Sequence, residues 1–554
     1  MRPGFSSRSR TLLSGLVVAS LAAAWVVGTG ASPSGAAVKL GSGIGTEAAQ
    51  NNPDCDKALE RVKFVYQAWL PCVKPWPDNA KNGGATSPGV TATSVKVVVR
   101  KQPDAVTAAS NNPIRDRATG AITDAQAAFR DSAAVFEHAY EQWGRQLEFE
   151  FMDLSGTDEA AQRADAVAAL AKKPFAVIDL GAGDVFQTTI AAGKVLSLSP
   201  TTGTNKQAVE QSPYRWTAGT DTSATAVLGA EFVGKALNGK PAEFAGDSAM
   251  KTKKRVFGIV RSTANNAPQI EYVMAELEKY NVKVAEDLTY TPPLDTSTNR
   301  AVADQNAPTL IAKFKDAGVT SIIVLADATM TGALTRAASA NSYNPEWISM
   351  GFGFIDIAAL SRTFEQDQWS RAFGVLALYP PVKNVTAGPS DLAFQWYWGT
   401  RAGAYNQAIF TQLEILYAGM HMAGPKLTPE TFKEGMFARP PTGGAAEGKV
   451  TDTARLYGKK ANLPYDEYLT GGDVTLAWWD AKTVGPSVSV AIADAAGVWQ
   501  FVDGAKRYVK GDLPSKMPPF FDATKGLNVF PAVPSTDTPP SYPCVGCPSA
   551  TPTA

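Results

Sequence analysis

The chain is poor in the residues that most often carry chemistry. Among 554 residues there are two histidines, His138 and His421, and four cysteines, Cys55, Cys72, Cys544 and Cys547. Both histidines sit in helical patterns among apolar neighbours, which points to packing. No H-E-x-x-H, G-x-S-x-G or paired C-x-x-C motif occurs, so those zinc and serine-hydrolase signatures are excluded. Gly234-Lys-Ala-Leu-Asn-Gly239-Lys240 has the outline of a phosphate loop. It fails, because Pro241 stands where Ser or Thr is needed and a helix rather than a strand precedes it. Scattered carboxylates show no spacing that pairs them for hydrolysis. No metal site or cofactor is predicted. Net charge is also missing: Lys+Arg and Asp+Glu balance at 52 each, which leaves no electrostatic footprint for nucleic acid. Past residue 40 no apolar run is long enough to span a bilayer.

What is present is globular: 45% hydrophobic and 19% charged residues, in a length that accommodates more than one domain. The N-terminus carries Arg2, Arg8 and Arg10, an apolar run from Leu12 to Val27, and then the small residues of GASPSGAA. This is the pattern of a secretory signal peptide over residues 1–37; a retained anchor is the alternative, against which the run is short. No Cys closes the run, so no lipoprotein anchor is expected. Export permits disulfides. Cys55 and Cys72 bound a segment that reads as an amphipathic helix plus a turn. Cys544-Val-Gly-Cys547 is expected either to pair locally or to tie the tail to the N-terminal segment, and four cysteines allow three connectivities. A redox or half-metal reading of that last pair lacks both a βαβ context and a second C-x-x-C.

Strand and helix patterns alternate from residue 89. VKVVV (95–99) is a buried-strand run, Asp124–Gln142 a helix, LEFEFMDL (147–154) a strand and Thr157–Ala171 a helix. Two strand–turn units follow, Phe175–Leu180 into Gly181-Ala182-Gly183-Asp184 and Val195–Leu198 into Ser199-Pro-Thr201-Thr202, with a helix at Asp184–Ala192 between them. The alternation repeats after residue 220: strands at 256–260, 282–290, 321–325 and 346–352, helices at Ser223–Leu237, Ala267–Tyr280, Pro308–Ala317 and Thr331–Ser339. Strands alternating with such helices predict parallel sheets built from βαβ units. The fold class is therefore α/β, with two similar doubly wound lobes. Ser390–Ala423 reads as one long aromatic helix and Thr428–Phe437 as a shorter one. Short antiparallel strands follow at 475–481, 488–494 and 497–509. From Gly511 the Pro-, Thr- and Ser-rich tail is expected to be extended or mobile.

This order of elements resembles the type I periplasmic binding proteins, the solute-binding components of branched-chain amino-acid-type ABC importers. The carriers are GVTATSVKVVV (89–99), GAGDVFQTTIAAGKVLSLSPTT (181–202), SPYRWTAGTDTSATAVLGAEFV (212–233), AGAYNQAIFTQLEILYAGMHMAG (402–424) and GVWQFVDGAKRY (497–508). The resemblance spans roughly residues 89 to 508. It implies a two-lobe clamp: residues 89–218 plus 378–470 as the first lobe, and 219–377 plus 471–510 as the second. Residues 38–88 would be an N-terminal extension and 511–554 a tail. Hinges would lie at Thr217–Asp221, Ala377–Pro381 and Thr470–Asp473, closing on a ligand. The implied partners are a small polar or amphipathic molecule and an ABC-type membrane permease; the chain would be an exported, non-enzymatic monomer. A secreted hydrolytic enzyme and a ligand-sensing protein of the same fold are the alternatives.

Ligands of open α/β sheets bind outside the carboxyl ends of strands. Gly181, Ala182 and Gly183 are expected to offer backbone N–H groups to the ligand, and Ser199, Thr201 and Thr202 hydroxyls and amides; simple turn chemistry is the other reading of the latter three. Asp184 caps the following helix or, facing the cleft, disfavours a carboxylate. Asn265 and Asn266 take the place where the family often has an aromatic residue. Asp327 is the nearest candidate for the family's acidic ligand to an ammonium, slightly out of register. Phe352 and Phe354 supply an apolar wall or pack in the core. These departures argue against an ordinary branched-chain amino acid.

Overall fold

Continuous apolar runs become strands buried on both faces. The computed structural model describes residues 40–77, 79–103, 125–181, 183–200, 204–293, 299–383, 389–400, 402, 404–487 and 493–548. A short ribbon, β1 (Cys55–Asp56) and β2 (Arg61–Val62), precedes the first large sheet. That sheet contains β3 (Ser94–Lys101), β4 (Gln146–Asp153), β5 (Ala176–Asp179), β6 (Leu196–Ser199) and β7 (Arg215–Thr217) in the order β4-β3-β5-β6-β7, all pairs parallel. Val97 and Val99 of β3 enter one core and Val98 enters another. This is the two-sided burial that a parallel sheet demands.

The second sheet contains β8 (Phe257–Ser262), β9 (Val284–Tyr290), β10 (Ser321–Leu325), β11 (Glu346–Met350) and β12 (Ala372–Leu376), in the order β12-β11-β10-β8-β9, all parallel. Antiparallel strands extend it: β13 (Asp473–Gly485) pairs with β12, and β14 (Ala495–Phe501) and β15 (Arg507–Val509) pair with β13. Ile323 faces one core and Ile322 and Val324 the other. At the base of this sheet the Arg255 guanidinium forks onto the Glu346 carboxylate at 2.7 and 2.9 Å, both fully buried. The α/β class and the parallel sheets agree with the sequence reading. The two bodies differ more than expected, with five strands in one sheet and eight in the other.

The chain passes between the sheets three times. β7 leads into the helix Thr222–Phe232; β12 leads out through Ala377–Lys383; and Tyr468–Gly472 leads back into β13. Thr220 and Thr470 form a parallel bridge, so the first and third crossings lie side by side.

Several expectations are corrected. The Cys55–Cys72 segment is not a helix. It holds the β1–β2 ribbon, and Phe64, Tyr66, Ala68 and Leu70 then bury alternate side chains in the core of the five-stranded sheet. The disulfides are Cys55–Cys72 and the local pair Cys544–Cys547. With both tail sulfurs bonded to each other, the nearby His138 ring nitrogen is the one free ligand of that cluster. The run 390–423 is two helices, Pro389–Trp398 and Ala404–Ala423, broken after Gly399 at φ +73°. Residues 488–492 lie outside the described residues. The tail is packed down over 511–548: Leu513 and Phe520 join the second core, and buried Asp537 accepts bonds from Val450 N, Thr451 N and Thr451 Oγ1. Among the described residues no helix is long and apolar enough to cross a membrane.

Candidate functional site

The segments that follow the carboxyl ends of β6 and β8 line one cavity of about 360 Å³, continuous with solvent. From the five-stranded side it is lined by Thr204, Lys206, Gln207 and Glu210, on the helix Asn205–Glu210 and its cap. From the other side it is lined by Ser262–Asn265 and Ala267–Glu271, the loop from β8 into the helix Ile270–Lys279. Lys206, Glu210 and Glu271 are its charged groups.

On the first side the local sequence builds a fixed rim. Thr204 and Gln207 form a capping box, each side chain accepting from the other's backbone N–H. Gln207 Nε2 also donates to Asp184 Oδ2 at 3.1 Å, and Asp184 Oδ1 lies 2.6 Å from Nη2 of buried Arg215. Asp184 therefore does not act as the helix cap, a position held by Gly183. Its charge is matched by Arg215 on β7, and through Gln207 it braces the cavity wall.

Gly181 and Gly183 lie at the end of β5 as predicted, but their amides serve the loop itself. Gly181 N donates to Asp179 Oδ1 and Gly183 N to Asp179 Oδ2, each at 2.9 Å. Arg100 Nη1 reaches Asp179 Oδ1 at 3.0 Å and its Nε reaches Asp165 Oδ2 at 2.9 Å. Burial pushes the Asp179 carboxyl up, against the opposing pull of Arg100 and the two glycine amides. At Gly183 a Cβ would meet Gln162 Oε1 at 2.4 Å, so a larger residue there would have to displace the Gln162 side chain. Ser199 is buried at the end of β6, its carbonyl accepting from Thr217 Oγ1 and Ala218 N. Ala182, Thr201 and Thr202 lie outside the described residues.

On the second side Asn265 is exposed on the cavity wall. Asn266 is exposed beside it, and its carbonyl accepts from Thr222 Oγ1 at 3.1 Å. Gln269 N donates to Ser223 Oγ at 3.0 Å. These bonds tie the β8 loop to the helix that follows the first crossing. Asp327 and Phe352 are elsewhere. Asp327 is the N-cap of the helix Ala328–Ala340, bonding Met330 N, and it accepts from Tyr290 Oη at 2.6 Å. Phe352 is buried, whereas Phe354 is 68% exposed in a left-handed conformation at φ +60°. Such a backbone is uncommon for a bulky aromatic residue.

The sequence reading missed Gln269. It is 7% exposed and lines the cavity, yet neither Nε2 nor Oε1 has a hydrogen-bond partner among the described residues. It occupies an N-cap position without capping its helix. The available signal was a glutamine where Ser, Thr, Asp or Asn is preferred. Thr204 and Gln207 were missed too; their T-x-x-Q spacing was the readable clue.

No family model matches this chain, and no curated protein matches it. Many solved structures do. One is a leucine-, isoleucine-, valine-, threonine- and alanine-binding protein from Brucella ovis in a closed conformation, 11% identical, covering 78% of this chain and 98% of its own, at a TM-score of 0.49. Another is an ABC-transporter solute-binding protein from R. palustris in complex with 4-hydroxybenzoate, 14% identical, covering 76% and 98%, at 0.45. A fatty acid ABC transporter substrate-binding protein from Thermomonospora curvata is 13% identical, covering 79% and 100%, at 0.43.

Proposed function

We propose that this chain is an extracytoplasmic solute-binding protein of an ABC importer. It would close two α/β lobes on a small polar or amphipathic molecule and present it to a membrane permease, without chemical conversion. The observation that carries the reading is the cavity between the segments that follow the carboxyl ends of β6 and β8, with three crossings joining the bodies on either side. Carboxyl edges are where α/β sheets place ligands, and paired bodies on short crossings suit hinge closure. The lobe boundaries proposed are 89–218 plus 378–470 and 219–377 plus 471–510.

A ligand that binds the folded state alone raises its melting temperature. A thermal-shift screen should cover amino acids, amides, hydroxybenzoates and fatty acids, the classes named for the similar structures included. The expected outcome is a stabilising ligand recovered unchanged. The exposed Asn265→Ala change should weaken that ligand about 5- to 10-fold, the loss of one hydrogen bond, and leave the unliganded melting temperature in place. Turnover of the bound compound would replace this reading with the enzymatic one.

A further inference from the structure

Two cysteines of the tail meet a histidine far from the cleft. His138 stands in the last turn of the helix Ala125–Ala139 and is exposed. One of its ring nitrogens, Cys544 Sγ and Cys547 Sγ all lie within 4.8 Å of one another. Both sides of the cluster are held in place. The imidazole packs against the rings of Trp396 and Tyr397, with centroids 5.5 and 5.3 Å away. The tail is fixed two residues before Cys544, where Trp396 Nε1 donates to Tyr542 O and Tyr542 Oη to Asp56 Oδ2, each at 2.9 Å. Between the cysteines Gly546 takes a left-handed φ of +79° and closes the turn.

The disulfide between these cysteines does little for the tail. It spans three residues, the range in which closing a loop constrains the unfolded chain least. It also links the tail to no other part of the molecule. As thiolates the pair would do more. C-x-x-C is the spacing of a chelating loop, and two thiolates with one imidazole are a donor set suited to Zn²⁺. The sequence alone offered this pair no further ligand; the fold supplies one from a distant helix. His138 also lines a neighbouring cavity of about 230 Å³, with the carboxyl groups of Asp54, Glu137 and Glu141 on its walls. Such a lining favours an approaching cation.

We propose that Cys544, Cys547 and His138 form a thiol-gated zinc site that clamps the tail onto the helix Ala125–Ala139. The gate is the disulfide. Of the four cysteines Cys544 alone is not buried, so it is the sulfur open to attack. The thiolate of a dithiol attacks Cys544 Sγ, the S–S bond breaks and Cys547 leaves as a thiolate. The second thiol of the reagent then displaces Cys544. Two electrons pass to the protein, which holds two thiols, and the dithiol becomes a cyclic disulfide. Zinc binding releases one proton from each thiol, while the neutral imidazole supplies its lone pair. Three protein ligands leave the fourth tetrahedral position to water.

The test uses the full exported chain, oxidised or treated with dithiothreitol under native conditions and then freed of thiol and metal without air. Alkylation and mass spectrometry map the reduced cysteines. Competition with a chromogenic chelator gives the Zn²⁺ affinity, and Co²⁺ is the spectroscopic probe. Dithiothreitol should reduce Cys544–Cys547 before Cys55–Cys72. The reduced chain should bind one Zn²⁺ and, with Co²⁺, show the thiolate charge-transfer band of a tetrahedral site. The oxidised chain and the reduced Cys544→Ser/Cys547→Ser double variant should bind more weakly by over about 100-fold. So should reduced His138→Ala and His138→Gln, since loss of an outer-shell partner alone costs about 10- to 100-fold. The double variant keeps Cys55 and Cys72, so zinc retained there would report those two instead. A tail pair that resists the dithiol in the folded chain overturns the gate. A reduced chain that takes up no zinc, or an affinity kept by the double variant or by both His138 variants, overturns the site.

Discussion

Replacing Glu467 by glutamine probes a proton buried between two crossings. Asp221 and Glu467 are both fully buried. Tyr465 Oη donates to Asp221 Oδ2 at 2.6 Å and Ser223 N to Asp221 Oδ1 at 2.8 Å. Leu469 N donates to Glu467 Oε1 at 2.7 Å, whereas Glu467 Oε2 has no donor. Burial, and then the Asp221 charge it faces, push the Glu467 carboxyl well above the usual range and favour its protonated form. In the unfolded chain a glutamate releases that proton near pH 4.3. Above that pH the folded state holds the extra proton. Stability therefore falls as pH rises, by about 1.4 kcal/mol per pH unit, until the folded pKa is reached. Glu467→Gln keeps an acceptor for Leu469 N but has no proton to lose. In denaturant titrations at pH 5, 6, 7 and 8, the variant's advantage over wild type should grow with pH, by at most about 1.4 kcal/mol per unit, and level off once the wild-type carboxyl ionises. Asp356, raised to about 6 by burial, and His421, pushed down to about 4 by burial, titrate in both proteins and cancel in the difference. A difference that does not vary with pH, or a variant less stable throughout, refutes the retained proton.

Three further outcomes follow from packing. Arg255→Met strands the Glu346 carboxylate, so unfolding free energy should drop by about 3–5 kcal/mol, and the double change Arg255→Met with Glu346→Leu should recover most of it. Asp537→Ala removes the acceptor of two amides and two hydroxyls; about 2–3 kcal/mol should be lost, read as a lower denaturation midpoint, with the tail becoming sensitive to protease. Replacing Cys55 and Cys72 together by serine opens a loop of 17 residues and should cost about 3 kcal/mol by equilibrium unfolding.

The strands were legible because burial on both faces leaves unbroken apolar runs: SIIVL at 321–325 was read with its observed bounds. The helix Asp184–Ala192 was equally legible. The Cys55–Cys72 segment misled because its apolar residues satisfy helical spacing loosely, while the residues that bury, 64, 66, 68 and 70, follow period two. The tail looked mobile because proline and serine dominate it; what anchors it is a handful of residues, Leu513, Phe520 and Asp537, that composition does not single out. The site was less legible than the fold. Asp184 and Arg215 stand 31 residues apart, and nothing local marks them as partners. Asp179 lies in a buried strand, so its capture of the Gly181 and Gly183 amides was hidden by its own apolar context.

The crossings show why acids are buried where the two bodies join. Strand ends, helix starts and loops that meet here leave backbone amides without ladder or intrahelical partners, and those amides need acceptors. Asp221 supplies one to Ser223 N, Asp356 to Leu378 N at 3.3 Å, and Asp473 to Ala445 N and Ala454 N at 2.8 and 3.0 Å. Asp473 is matched by Arg507, which also donates to Ala377 O on the middle crossing. Asp221 N bonds Thr470 O and Thr470 N bonds Gly219 O, joining the first crossing to the third. One hydrogen-bonded system therefore runs through all three. Rotation of one body against the other has to conserve these bonds or break several at once. Under the solute-binding proposal, rotation about a line through Thr220, Ala377 and Thr470 would keep these bonds while bringing the Gln207 and Gln269 walls together rather than sliding them past each other.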